Sequence, residues 1–480
     1  MRFPQTPTFT GFNAPMRIEG EVKDLEVDGQ IPEGLAGTFY RCGPDFRHAP
    51  LHGDDINHNG DGVVSMFRFG GGRVDFRIRF VRTEKYALEE AAGRALFGKY
   101  RNPFTDDPSV AGKDRTLANT NVVMHAGKLL AMKEDGLPYA LDPDSLETLG
   151  RHDFDGRIKS QTFTAHPKID PVSGEMIGFG YEAAGLASKA MSLQRIGADG
   201  RLNDEEFFEA PYVSFQHDFA VTRDHIVFVL MPTTTSLERL RAGDTHWVYE
   251  PTLPIEVGIM PREGSVKDLR WFKAPGRGVG HMLNAFSDGT RVHLDTFVSE
   301  RNQFPFVPNA DGAPFDRAAG TPRLTRWSFD MASNSDGFEE ETLFPDFMEM
   351  PRTDDRVQMS PHRYGYCAII DMSRPPAVAG TLGPGWNTLA RVDFATRTMD
   401  RWWAGENAAL QEPQFVPRRP DAPEGDGWLL TVVTRLDASG YSSALAILDA
   451  GRIAEGPLAT VRLPMRLRNA IHGNWVGAAH

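Results

Sequence analysis

The chain has 480 residues, 40% of them apolar and 10% aromatic, which is enough to build a large core and excludes a disordered chain. Lys and Arg number 52 against 65 Asp and Glu; the net charge of −13 argues against nucleic acid or an anionic membrane surface as a partner. Cys42 and Cys367 are the two cysteines, too few and too far apart for a disulfide framework or a cysteine metal site, so free thiols in a reducing compartment are expected. No stretch approaches the roughly 18 apolar residues of a membrane span, and the opening residues lack a signal peptide's apolar run. A soluble, cytoplasmic protein is therefore expected.

Taken in chain order, the first clear element follows the Gly70-Gly71-Gly72 turn. Val74, Phe76, Ile78 and Phe80 interleave with Asp75, Arg77 and Arg79, the period of a half-buried strand. The best helical stretch runs from Tyr86 to Leu96, with Leu88, Ala91, Ala92, Ala95 and Leu96 on one face. Turn clusters come next at Asp142-Pro143-Asp144, Asp170-Pro171-Val172-Ser173-Gly174 and Ala198-Asp199-Gly200. His225 to Met231 is a nearly continuous apolar strand, and a short helix is expected near Ser236 to Arg241. The turn at Ser287-Asp288-Gly289 leads into Val292, Leu294, Thr296 and Val298, again with period two. A Pro-rich surface loop is expected over Pro305 to Pro314, and Trp428 to Thr434 is another apolar strand.

Short strands with Gly- and Pro-rich turns mean a sandwich, a barrel or a propeller. No low-complexity linker or charge block divides the chain, so residues 1–480 read as a single β-propeller domain with inserted cap loops. No strict repeat of fixed period sets the blade number. Seven blades would average about 69 residues each, longer than a minimal four-stranded blade, which leaves material for a cap over one face.

Of fourteen histidines, His48, His52, His125, His152, His246 and His480 lie in polar or terminal surroundings and read as solvated. His166, His217, His281 and His472 differ: each borders an apolar strand beside a small or turn residue. They are separated by 51, 64 and 191 residues, as one histidine per blade aimed at a common axis would be. No HExxH pair is present, so a metal would have to be gathered from separate strands. Neutral imidazoles suit Fe, Zn, Cu or Ni. Spacing alone leaves two readings open, a metal cage or four strand-end histidines with satisfied hydrogen bonds.

Several ordered motifs flank these histidines. They are Gly29-Gln30-Ile31-Pro32-Glu33-Gly34-Leu35-Ala36-Gly37, Tyr40-Arg41-Cys42-Gly43-Pro44, Asn59-Gly60-Asp61-Gly62, Thr164-Ala165-His166-Pro167-Lys168, His217-Asp218-Phe219, Glu412-Pro413-Gln414-Phe415-Val416-Pro417 and Ile471-His472-Gly473. With them the chain resembles, over essentially its whole length, the carotenoid cleavage oxygenase family, most of all its bacterial lignostilbene-cleaving branch. The resemblance implies an all-β fold, a seven-bladed propeller capped by helices and loops over an axial non-haem Fe(II). It implies His166, His217, His281 and His472 as iron ligands, with Glu134, Glu349 and Glu412 behind them. A carboxylate accepting an imidazole N–H would fix the tautomer and raise ligand basicity.

The resemblance further implies cleavage of a C=C bond with O2 as co-substrate, and a 4-hydroxystilbene cut into two aromatic aldehydes. Tyr100 and Lys133 would activate the phenol. If Lys133 and its neighbour Glu134 lie on a strand, Lys133 would face substrate while Glu134 faces the ligands. Where that branch often carries a Phe against the substrate ring, this chain has His58, which can stack and also hydrogen-bond a ring substituent. The expected partner is a small aromatic molecule, without nucleic acid or stable membrane insertion; a homodimer is left open. An apocarotenoid oxygenase is the nearest alternative, with Leu96, Phe97, Tyr100 and Phe104 as an apolar entrance diluted by Lys99, Arg101, Asp106 and Asp107. A non-catalytic propeller that serves as a binding platform is the alternative of another class.

Overall fold

The computed structural model describes residues 2–375 and 385–478; His480 lies outside them. Seven antiparallel sheets follow one another around an axis and form a seven-bladed β-propeller. Blade two holds the strands from Asn121–His125 to Thr148–Arg151, and blade three those from Lys168–Ile169 to Leu202–Glu209. Blade four begins at Phe219–Val221, blade five at Gly278–Asp288 and blade six at Met348–Arg352. The first strands of neighbouring blades touch around the axis, Phe219–Val221 against Gly278–Asp288 and Gly278–Asp288 against Met348–Arg352.

Both chain ends are used to close the ring. The last strand, His472–Gly477, pairs with Gly37–Asp45 and becomes the inner edge of blade one, with Cys42 opposite His472. The early strand Val27–Gly29 pairs with Pro457–Arg462 as the outer edge of blade seven. Each end blade is thus stitched from both termini, which removes the unpaired edges an open ring would expose.

Alternation sets which side of each blade meets its neighbour. In Arg73–Phe80 the apolar Val74, Phe76, Ile78 and Phe80 are buried, while Asp75, Arg77 and Arg79 reach toward solvent. The apolar stretch at 225–231 is a strand, His225–Leu230, enclosed between blades, where Phe219 and Phe228 stack with centroids 6.1 Å apart. Cys42 and Cys367 are free and buried, as the sequence suggests.

Two helices form. The first spans Glu84–Ala92, capped by the Thr83 side chain, which accepts from Tyr86 N. It stops four residues short of Leu96 because Gly93 takes φ 65° and turns the chain left-handed. Its buried face is also different from the one expected: Lys85, Tyr86 and Glu89 point inward, while Ala91 and Ala92 are exposed. Lys85 is paired with Asp61 at 2.8 Å and Glu89 at 2.7 Å, so ionic contacts anchor this helix where an apolar stripe was expected. The second helix, Leu237–Arg241, starts where expected, with the Ser236 side chain accepting from Arg239 N.

The segment between blades one and two and the insertions within blades four and five bind each other. Asn102 donates to the carbonyls of Leu240 and Asp244, and Tyr249 N donates to Pro308 O. The loop over Pro305 to Pro314 is not purely superficial, since Val307 is buried and Asn302 Nδ2 holds its carbonyl at 2.7 Å. No helix among the described residues is long and apolar enough to cross a membrane.

Candidate metal centre and substrate site

The four singled-out histidines meet on the axis. His166 sits in the bend ahead of Lys168–Ile169, its backbone N–H held by Thr164 Oγ1 at 2.9 Å. His217 lies just before Phe219–Val221, and His472 is the first residue of its strand. His281 is placed differently from the expected strand border. It sits inside Gly278–Asp288, at a bulge where pairing shifts between Val279 and Met282, and the bulge aims its ring at the axis.

The ring nitrogens converge. His217 Nε2 lies 3.1 Å from Nε2 of both His166 and His281, and one ligand atom from each of the four rings falls within 4.8 Å of the others. Adjacent rings are roughly perpendicular, for example His281 and His472 at 82°. Behind them, His281 Nδ1 meets Glu349 Oε2 at 2.7 Å and His472 Nδ1 meets Glu412 Oε1 at 2.7 Å. Glu134 Oε1 stands farther from His217 Nδ1, at 3.5 Å. With Nδ1 donating to a carboxylate, Nε2 is left as a lone-pair donor facing the axis.

The carboxylates are themselves held in place. Glu349 accepts from the backbone N–H of His281 at 2.8 Å, and Glu412 from Gly473 N at 3.0 Å and Arg352 Nη2 at 3.1 Å. Burial would raise Glu412, but Arg352 and His472 outweigh it and hold it down to about 2. Burial and the three neighbouring imidazoles keep His166 well below its ordinary value. Burial alone would lower His281, but the Glu349 carboxylate reverses that and holds it above the ordinary value.

This cluster fits a metal. His472 Nε2 is buried and has no hydrogen-bond partner, and lone pairs aimed at one another about 3 Å apart call for a shared cation. Asp218 was not singled out from the sequence, although it lies in the quoted His217-Asp218-Phe219 motif. It binds Lys168 Nζ at 2.8 Å and accepts from Met282 N at 2.9 Å, which ties the His217 turn to the His281 bulge.

On the cap side, aromatic rings lead away from the cage. Phe215 lies 5.5 Å from the His217 ring, Phe304 5.8 Å from Phe215, Phe306 5.6 Å from Phe304, and His58 4.9 Å from Phe306. Desolvation, then the Lys133 charge, pushes His58 down to about 4, so its ring is neutral at physiological pH. Tyr100 and Lys133 are brought together, with Lys133 Nζ 4.4 Å from the centroid of the tyrosine ring. Lys133 lies toward Tyr100 and Glu134 toward His217, but not as neighbours on a strand. The strand Lys128–Met132 ends before them, and they lie in the tight turn closed by Gly136 N to Lys133 O at 3.4 Å.

Two of the histidines read as solvated are not. His125 is buried and meets the Gly174 carbonyl at 3.1 Å. His246 is buried between the Arg101 carbonyl at 2.9 Å and Glu182 Oε2 at 3.1 Å, beside Arg101, which also pairs with Glu182 and Tyr181 OH. No local sequence signal announces this, because its partners come from segments far away in the chain. The apolar entrance also fails to form: Leu96 and Phe97 are buried, and Phe104 alone of the four is exposed, at 48%.

With the geometry in place, comparison with known proteins is informative. The chain is 45% identical to lignostilbene-alpha,beta-dioxygenase isozyme III of Sphingomonas paucimobilis, over 99% of this chain and 98% of that one. It is 46% identical to an isoeugenol monooxygenase of Pseudomonas putida, over 98% of each. The crystal structure of Pseudomonas brassicacearum lignostilbene dioxygenase superposes with a TM-score of 0.96 at 42% identity, covering 100% of both chains. Residues 13–477 match the pattern of the retinal pigment epithelial membrane protein (RPE65) family, so this propeller with its axial histidines belongs to that family, the carotenoid oxygenases.

Proposed function

We propose that this protein is an Fe(II)-dependent dioxygenase that cleaves the central C=C bond of a lignostilbene-type 4-hydroxystilbene with O2, giving two aromatic aldehydes. The observation that carries this reading is the convergence of four Nε2 atoms on one axial point, with carboxylates behind three of the rings. His166, His217, His281 and His472 would hold the iron, and Glu134, Glu349 and Glu412 would orient it through the rings. Bound iron would supply the O2 chemistry. A neutral nitrogen set without a carboxylate ligand suits iron, and the relatives named above are oxygenases.

The chain's own residues do the rest. Phe215, Phe304 and Phe306 line the approach to the cage and exclude water. Lys133 and Tyr100 receive the phenolic oxygen, and the ammonium charge stabilises the oxyanion as it forms. A phenolate pushes electron density through the ring onto the conjugated double bond, the electron-rich alkene that O2 chemistry requires. His58, against Phe306, meets the substrate ring and can hydrogen-bond a substituent on it.

The same anchoring serves a 4-hydroxyphenylpropene, the class of isoeugenol, and the 46% identity to the Pseudomonas putida enzyme favours that as the second reading. An apocarotenoid is less favoured, since Leu96 and Phe97 are buried and form no apolar entrance. The deciding experiment is metal analysis of the purified protein, followed by incubation with hydroxystilbenes, isoeugenol and apocarotenals under labelled O2. We expect stoichiometric iron and labelled aldehydes from the hydroxystilbenes, lost in His217→Ala. Full activity in that variant, or turnover of apocarotenals alone, overturns the reading.

A further inference from the structure

Phenol activation needs somewhere for the proton to go. Burial pushes Tyr100 up, so its hydroxyl stays protonated and acts as a donor. Lys133 Nζ is 2.8 Å from Asp135 Oδ2 and lies against the Tyr100 ring. The second oxygen of Asp135, Oδ1, is buried and has no hydrogen-bond partner. A buried carboxylate oxygen left bare is costly unless a donor arrives to meet it.

The other charged groups around this spot are committed elsewhere. Arg101 is paired with Glu182, which also meets His246. His58 is neutral. Glu134 has one free oxygen too, Oε2, but its Oε1 faces His217 Nδ1 at 3.5 Å, and a proton on this carboxylate would cancel the charge behind that ring. Asp135 is fixed by its turn: a Cβ at Gly136 would overlap the Thr116 side chain, so the Lys133–Gly136 backbone has a single packing.

We propose that Asp135 is a catalytic residue, the general base whose Oδ1 takes the phenolic proton of the substrate. The inference rests on the hydroxystilbene reading. The phenol O–H bond breaks, an O–H bond forms on Asp135, and the electron pair stays on the phenolic oxygen, opposite the Lys133 ammonium. When the hydroxybenzaldehyde product leaves, the proton returns to its oxygen and the carboxylate is regenerated. No oxidant or reductant is consumed in this step.

The test separates proton transfer from cleavage. With 4-hydroxystilbene bound anaerobically, so that no turnover occurs, the wild-type protein should show the phenolate absorption band and Asp135→Asn the neutral-phenol band. In turnover at mildly alkaline pH, Asp135→Asn should lose roughly a hundredfold in kcat/KM on 4-hydroxystilbene but only about threefold on its 3,5-difluoro analogue, whose more acidic phenol is largely ionised in solution there. Asp135→Glu should recover part of the loss. Because both substrates are compared within one variant, the fraction of folded protein cancels. A phenolate band retained in Asp135→Asn, or equal losses on the two phenols, overturns the proposal. Absence of cleavage in the wild type, with the phenolate band present, would instead overturn the dioxygenase reading alone.

Discussion

At the scale of single residues, the three carboxylates behind the cage are unequal. Glu349 and Glu412 each sit 2.7 Å from an imidazole nitrogen and are braced by backbone N–H groups, whereas Glu134 stands at 3.5 Å. Glu349→Gln and Glu412→Gln should therefore each weaken iron binding by roughly ten- to a hundredfold, and Glu134→Gln by less. Chelator competition followed by metal analysis measures this, and an equal loss in all three would mean that the spacing does not matter. Lys133→Ala and Tyr100→Phe should leave iron content unchanged and slow hydroxystilbene cleavage by roughly a hundredfold, the cost of one lost donor in a dry site. The 4-methoxy analogue should be a poor substrate; if it reacts as fast as the phenol, ionisation is not what activates the alkene. The four histidines were legible as a group because each stands beside a small or turn residue near an apolar strand, but the family resemblance was needed to choose the metal-cage reading, and His281 lies inside its strand rather than at its border. Asp135 and His246 were not, since an unpartnered oxygen and a distant ion-pair partner leave no local pattern.

At the scale of elements, the bulge in Gly278–Asp288 does what no side chain can do alone. It turns His281 to the axis, and Gly280 leaves the space into which Glu349 reaches: a Cβ there would overlap Glu349 Oε1. Gly280→Ala should accordingly displace Glu349 and lower iron affinity about as much as Glu349→Gln does, roughly tenfold or more. Unchanged metal content in a folded Gly280→Ala protein would remove the bulge from this account. Strand identity was readable because alternation at Val74 to Phe80 and at Val292 to Val298 follows directly from one-sided burial. The helix after Thr83 was misjudged in both its end and its buried face. Gly93 ends it, and ion pairs from Lys85 do the anchoring that an apolar stripe was expected to do.

For the molecule as a whole, a metal held by the four histidines would be a cross-brace between distant parts of the chain. The four histidines belong to blades three, four and five and to the C-terminal strand in blade one, so a bound ion would tie together segments far apart in sequence. Removing iron with a chelator should lower the melting temperature markedly; a ligand present at about a thousand times its dissociation constant adds roughly 4 kcal/mol. His217→Ala should melt near the chelated wild type and respond little to added iron. Blade number was not readable from the sequence, because the blades share a hydrogen-bonding plan without sharing residues. The family resemblance supplied it.

The stitching of blades one and seven from both termini has a consequence for biosynthesis. On the ribosome, blade seven is incomplete until Pro457–Arg462 has been made, and blade one until His472–Gly477 has been. A growing polypeptide therefore holds at most three of the four nitrogen donors until His472 has been made. Products terminated before that strand lack both the clasp and the fourth imidazole, so the full cage exists only once it has been added.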